Sequence, residues 1–456
     1  MVLLERNSTM VVEDLKKDMD DFFLLANAIF VSFMQAGFAC LEAGSVRTKN
    51  SLNIIMKNAL DLFICAVFYY LTGYTLAYEE GNSFLGYFRW AGYGLEERKL
   101  AFWFFQFIFA ATAATIISGA VAERCNFAAY IVYSGVISGI VYPIVSHWAW
   151  HRDGWLRTMG YIDFAGCGVV HALAGVCSFI AAALLGPRIG RFSGGKPKDI
   201  PGHSLPLVGV GALLLISGFL AFNGGSLGHI TQPGDSEIVA RSMFSTIVGG
   251  SGAATVSLIL GRIGIYGPSP WPFSLTLNAT LAGMVSVCGG PEAYATWAAF
   301  LTGAIGCLIY FALHRLILFL KIDDPLDAAA LHFGSGVWGV FARPLFSQEG
   351  LVYANPNALS LLLYNAIGVF AIICWSLVTS LILFGSLKLL GLLRISEEEE
   401  LKGLDISKHG EISYPSSAWG WYNEPVEFYP ENGGSYKLKK DYDNHAFQME
   451  RRNPES

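Results

Sequence analysis

Apolar residues in this chain gather into blocks of roughly twenty, separated by short polar stretches, with no strict alternation and no one-sided stripe. A block of that length suits a helix crossing a hydrocarbon layer about 30 Å thick. Eleven spans are predicted, at about 21–42, 53–78, 101–123, 127–150, 164–186, 205–226, 238–262, 272–289, 294–320, 326–346 and 361–392. The chain therefore reads as an all-α polytopic membrane protein. Three parts are expected: an extracellular N-terminus (1–20), a membrane domain (21–392) and a polar cytoplasmic tail (393–456). That tail should be ordered near the membrane and loose at its end. The N-terminal stretch has no basic start followed by an apolar run, so the first block is expected to remain as a spanning helix.

Loop charge sets the expected orientation. The 187–204 loop carries Arg188, Arg191, Lys196 and Lys198 against Asp199 alone, and the 43–52 loop carries Arg47 and Lys49. Loops 227–237, 290–293 and 347–360 have neither Lys nor Arg. An outside N-terminus fits this bias, although Arg98, Lys99, Arg152 and Arg157 run against it. The Asn7-Ser8-Thr9 sequon falls on the expected outer side.

Composition agrees with the pattern. Hydrophobic residues make up 53% of the 456 positions and charged residues 14%, against about 25% in soluble domains. Mean hydropathy is +0.46. The 50 glycines suit helices that approach closely within a bilayer. A net charge of −6 with no basic stripe gives no reason to expect a nucleic-acid partner. The eight cysteines form no CxxC pair and sit mostly inside apolar blocks, where they read as small buried hydrophobes. No metal or other cofactor is expected.

Two histidines stand out. His171 lies eight residues after Asp163 in DFAGCGVVHALAG, and His332 eight after Asp324 in DPLDAAALHFGSG. Eight helical residues at ~1.5 Å each carry the chain about 12 Å inward, close to the middle of a bilayer. A titratable side chain at that depth points to function. The alternative is a neutral core histidine bonded to a neighbouring helix. The two segments are the fifth and tenth spans, which would run in opposite directions, as in an inverted repeat of five plus five spans with a long eleventh added. Two neutral imidazoles in contact share one hydrogen bond and still offer polar atoms to a small solute. In a narrow apolar bore this suits ammonia or water better than an ion, whose desolvation costs far more.

Asp163 and Asp324 sit where helix N-caps belong. Asp163 has a second reading, as a buried carboxylate that helps hold a cation. Asp327, one turn beyond Asp324, is a candidate polar group at the cytoplasmic end. Aromatic residues cluster in FWFFQFIFAATAA (Phe102, Trp103, Phe104, Phe105, Phe107 and Phe109), HWAWH (Trp148 and Trp150) and FLAFNGGS (Phe219 and Phe222, with Ser226). Most such residues form an interfacial belt. A cation is also held well over aromatic faces, and a Trp, a Phe and a Ser hydroxyl around one point would bind a small hydrogen-bonding monocation. His147 and His151 have half of a metal-site spacing, but no carboxylate or cysteine stands at matching spacing.

The strings MQAGFACLEAGSVRTKN, FFQFIFAATAATIISGAVAER, YPIVSHWAW, DFAGCGVVHALAG, AFNGGS, DDPLDAAALHFGSGVWG and GLDISKHGEISY resemble the ammonium transporter family (Amt and Mep proteins, with the Rh proteins as relatives). Trp150 places the likeness on the Amt side. The resemblance implies eleven helices, a homotrimer with one pore per subunit and a plasma-membrane location, with ammonium, and methylammonium as its analogue, as the transported solute. By position, Trp150, Phe109 and Ser226 resemble the outer recruitment site, with Asp163 beneath it. Phe109 and Phe222 resemble the phenyl gate, and His171 and His332 the histidines lining the pore. Gly403 and Asp405 resemble a tail segment that touches a neighbouring subunit and regulates conduction, and Ser407 lies inside that segment as a candidate phosphorylation site. The chain departs from the family pattern at Phe333, Phe219 and Cys167, which bears on rate and selectivity. Two further readings remain open: an electroneutral channel of Rh type for ammonia or carbon dioxide, and an ammonium sensor with little flux.

Overall fold

The computed structural model describes residues 2–267, 269–415, 429–431 and 435–437. Most of the expected tail therefore lies outside the described residues. Contacts divide the chain into a large unit up to Glu411 and a second unit from Ile412 onward. Within the second unit, Tyr429–Glu431 pairs antiparallel with Ser435–Lys437.

The large unit is helical. Among the described residues, nine helices are long and apolar enough to cross a membrane: Met10–Ser45, Thr48–Tyr78, Glu97–Val121, Phe127–Met159, Cys167–Leu185, Leu205–Gly225, Asp235–Arg262, Thr296–Phe319 and Ala358–Leu389. The expected spans at 272–289 and 326–346 correspond to shorter helical segments, Phe273–Val287 and Ala330–Gly334 running into Ser335–Phe346. The first helix begins at Val2, well before residue 21. Its early residues, rich in Leu, Glu, Lys and Met and free of Pro and Gly, are good helix formers even where polar and exposed.

Glycines set how closely the helices approach. The Asp235–Arg262, Phe273–Val287 and Thr296–Phe319 helices meet where a Cβ on Gly303 would lie 1.9 Å from the Gly249 carbonyl oxygen, and one on Gly283 2.6 Å from it. No side chain fits there. Five helical stretches among the described residues contain a π-turn: Tyr69–Gly73, Ile137–Val141, Cys167–Ala172, Ala330–Gly334 and Asp405–His409. Such widened turns concentrate at functional sites.

At one end of the bundle, loops are fastened by buried charges. Arg188 reaches both oxygens of Asp323, at 2.8 and 3.0 Å, and its backbone N–H donates to the same carboxylate. Arg47 donates to Glu123 through its backbone N–H and its guanidinium. Arg188 also lies 3.4 Å from Glu123, which joins the two pairs. Burial alone would raise the Asp323 carboxyl, but the Arg188 hydrogen bonds and the Arg124 and Arg188 charges outweigh it and hold the group down to about 2.

Two outcomes are expected. Gly303→Ala forces backbone apart and destabilises the bundle by about 1–3 kcal/mol, read as a lower thermal midpoint in detergent. The Asp323 contribution is present above the ordinary carboxylate value of about 3.9 and is lost as pH falls toward its depressed folded value. Acid titration of stability should show this loss, and Asp323→Asn should flatten it.

Candidate conduit and its histidine pair

His171 and His332 face each other across two antiparallel segments. Their Nδ1 atoms are 3.1 Å apart, and the rings are nearly parallel with centroids 5.1 Å apart. Both rings are buried. Each histidine sits inside a π-turn, His171 in Cys167–Ala172 and His332 in Ala330–Gly334. The segments pack almost backbone to backbone. A Cβ on Gly175 would lie 2.2 Å from the Phe333 nitrogen, and one on Gly336 2.6 Å from the Cys167 oxygen. One segment is traversed upward in number as the other is traversed downward, which is the opposed arrangement expected for the two Asp-to-His stretches.

The aspartates begin these segments as the spacing suggested. Asp163 Oδ1 accepts from the N–H groups of Gly166 and Cys167, at 3.0 and 2.8 Å. Its Oδ2 accepts from Gly168 and Val169, at 2.8 and 3.1 Å, and from the Tyr161 hydroxyl. One carboxylate thus satisfies the four N–H groups that a helix start leaves open. Asp324 does the same for two, Ala328 and Ala329. The Asp163 backbone carbonyl accepts from Trp150 Nε1 at 2.8 Å, so the same residue fixes the indole.

Trp150, Phe109, Asp163 and Ser226 all line one cavity of about 600 Å³, with Gln106 and Phe105 among the other walls. At its floor the Phe109 and Phe222 rings stack, with centroids 4.1 Å apart and planes within 16°. Phe109 also meets Trp150 edge to face at 6.1 Å. Both phenyl rings are buried. Phe222 lies 5.6 Å from the His171 ring, and Phe219 lies alongside that ring at 5.7 Å. The Ser226 hydroxyl donates to the Phe222 carbonyl, which leaves its oxygen able to accept a hydrogen bond.

Beyond His332 the line continues. A cavity of about 40 Å³ is walled by His332, Leu331, Glu42 and Asn278. A larger one of about 170 Å³, sharing Leu41, Asn278 and Leu326 with it, includes Asp327. Asp327 accepts from the Tyr310 hydroxyl and meets His314 Nδ1, each at 2.7 Å. The order along the molecule is therefore aromatic cavity, stacked phenyls, histidine pair, small cavity and acidic cavity.

One neighbour of the pair gave no readable signal. Cys288 Sγ lies 3.8 Å from His171 Nε2, the atom turned away from His332. Cys167 donates to the Val285 carbonyl and packs on Gly339, which explains a small side chain there. Phe333 sets its backbone and Cβ against Gly175. His147 and His151 stack at 4.3 Å, and both His147 nitrogens meet backbone carbonyls. Among the described residues no group of three or more His, Cys, Asp or Glu is placed to hold a metal.

The tail residues meet a different part of the same chain. Asp405 accepts from the N–H groups of Leu52 and Asn53, at 3.1 and 2.8 Å, and so caps the Ser51–Phe68 helix. Gly403 takes a φ of +99° and packs on Lys49, where a Cβ would lie 2.6 Å from the lysine Cβ. Lys49 Nζ donates to the carbonyls of Glu400 and Leu401. The Ser407 hydroxyl donates to the Gly403 carbonyl at 2.7 Å.

The model of the Ammonium Transporter Family matches residues 22–414. A putative ammonium transporter 1 from Caenorhabditis elegans is 43% identical, over 89% of this chain and 81% of that protein. Ammonium transporter 1 member 3 from Solanum lycopersicum is 38% identical, over 87% of this chain and 93% of its own. Among solved structures, a "Sensor Amt Protein" superposes with a TM-score of 0.80 at 30% identity, covering 87% of this chain and 99% of that one. Mep2 of Saccharomyces cerevisiae gives 0.77 at 24% identity, over 88% and 92%, and shares the fold.

Asp163→Ala leaves four buried N–H groups without their acceptor, whereas Asp324→Ala leaves two. At about 1–3 kcal/mol for each buried group stranded, the first should lower the thermal midpoint clearly more than the second. Equal midpoints would contradict this reading of the caps.

Proposed function

The chain belongs to the ammonium transporter family, and on that premise we propose that it carries ammonium across the plasma membrane as a deprotonated solute. The observation that carries the reading is the position of the hydrogen-bonded His171–His332 pair, directly beyond stacked phenyl rings at the floor of an aromatic cavity.

In this reading the wide cavity faces outside. Ammonium sheds water there and is held over Trp150 and Phe109, with an N–H donated to Ser226. Potassium has the charge but no hydrogen to donate, so the hydroxyl discriminates between them. Asp163 supports the cation indirectly. Its carboxylate is occupied by N–H groups, and its carbonyl orients the Trp150 indole. Passage beyond Phe109 and Phe222 requires rotation of those rings and transfer of the proton to water in the outer cavity, because the bore beyond them is too apolar for a charge; that proton either stays outside or crosses separately by way of the histidines. Ammonia then exchanges hydrogen bonds with His171 and His332, regains a proton on the cytoplasmic side of the pair, and leaves past Asp327. Eleven crossings, an outside N-terminus and a trimer with one pore per subunit complete the picture. Gly403, Asp405 and Ser407 are the regulatory segment. A phosphate on Ser407 would add charge beside the Asp405 cap and loosen it.

A second reading has one observation in its favour, the overall likeness to a sensor Amt protein. In that case ligand binding in the aromatic cavity is reported through the tail with little flux.

Proteoliposomes containing the purified protein should take up labelled methylammonium well above empty vesicles. Trp150→Leu should weaken apparent affinity about 2- to 30-fold, the range of one cation–π contact. Uptake no greater than in empty vesicles, together with ligand-dependent exposure of residues 394–411 to protease, would favour the sensor.

A further inference from the structure

A second polar cluster lies beside the conduit, inside the bundle. Glu42 is 1% exposed and Asp61 fully buried, although both sit on apolar spanning helices. Asn58 Nδ2 and the Ser118 hydroxyl donate to Glu42. The Thr115 hydroxyl, one helical turn from Ser118, donates to Asp61 at 2.5 Å and also meets Gln35 Oε1. Two further atoms of the cluster, Gln35 Nε2 and Asn58 Oδ1, are buried without a hydrogen-bond partner. Each belongs to an amide whose other end already binds the cluster, so hydrogen-bonding capacity remains among these side chains. The Lys57 ammonium is directed elsewhere, to the Cys125 carbonyl and the Tyr130 ring.

What separates this cluster from structural packing is its wall. Glu42 and His332 line the same cavity of about 40 Å³. A water needs about 10–15 Å³ of such space, so a water or an ammonia molecule fits between them. A carboxyl inside a membrane bundle is costly and marks a functional path. The titratable groups facing it are Asp61 and Lys57 on the second helix, Tyr130 and Tyr133 on the Phe127–Val136 helix, and His332 across the cavity, with Cys65 against Asp61.

We propose that Glu42 is a second acid–base group of the conduit, placed beyond His332, where it exchanges a proton with the solute that has passed the histidine pair. This rests on the transport reading. The carboxyl O–H breaks, an N–H forms, and ammonium leaves by the Asp327 cavity. The carboxylate left behind regains its proton from water on that same side. Asp61 and the hydroxyls of Ser118 and Thr115 hold the site polar, so that either form of Glu42 is tolerated.

Glu42→Gln keeps the shape and both hydrogen-bonding neighbours but carries no exchangeable acid. Its methylammonium uptake should fall about a hundredfold, the low end of what a positioned acid contributes, and should lose the wild-type dependence on internal pH. Glu42→Asp should recover part of both. Ser118→Ala leaves the carboxyl in place and should shift the internal-pH profile, which covers the case of a Gln variant that does not fold. Infrared titration of the same purified proteins should show a protonated-carboxyl band that Glu42→Gln removes, whether or not the protein conducts. A conducting wild type alongside a folded Glu42→Gln with unchanged rate and pH profile overturns the proposal. A wild type that conducts nothing but keeps the band overturns the transport reading instead.

Discussion

The contact on which the arrangement depends is the one between two imidazoles, with Nδ1 atoms 3.1 Å apart at the middle of the bundle. It has one ring donate and the other accept, and turns the Nε2 nitrogens outward. Nothing about either helix alone produces it. It requires two segments to run in opposite directions and to touch at Gly175 and Gly336, where any side chain would strike backbone. It also requires that each helix start at a fixed height, which the Asp163 and Asp324 carboxylates set by taking the first free N–H groups. Remove the glycines and the rings separate; remove the caps and they lose their register.

The same economy of polar groups runs through the rest of the bundle. Among the described residues, the charges fastened at the loop end of the bundle are given partners. The Arg47–Glu123–Arg188–Asp323 chain ties four loops together at one face. Taking charges out of water costs several kcal/mol each, and bidentate geometry of the Arg188–Asp323 kind is what makes the exchange tolerable. These pairs specify where loops sit more than they add stability. The Glu42 and Asp61 cluster differs, since it faces the line of cavities and keeps unused hydrogen-bonding capacity.

Much of this was legible in the sequence because the bilayer imposes simple lengths. Blocks of apolar residues gave the helices, and the Asp-to-His spacing gave the capped starts. Strings such as DFAGCGVVHALAG and AFNGGS gave the family. What could not be read is whatever depends on crossing geometry. The π-turns that present His171 and His332 have no residue signature, since they arise from how neighbouring backbones crowd the turn. Cys288 reads as one more small apolar residue until it is found beside His171. Glu42 sits near the end of its span, where a carboxylate reads as a solvated terminus, and only packing shows it to be enclosed. The early start at Val2 was hidden because hydropathy registers apolarity and not helicity.

The Asp405 cap has a consequence for how the molecule is made. The N-terminal turn of the Ser51–Phe68 helix is finished by a side chain some 350 positions later. Its acceptor is the last part of the large unit to be synthesised, after every spanning segment. Local helix starts elsewhere close with residues only a few places away, as Asp163 and Ser204 do. A chain ending short of residue 405 would lack the carboxylate that takes the Leu52 and Asn53 N–H groups, so the start of the second helix depends on the tail being present.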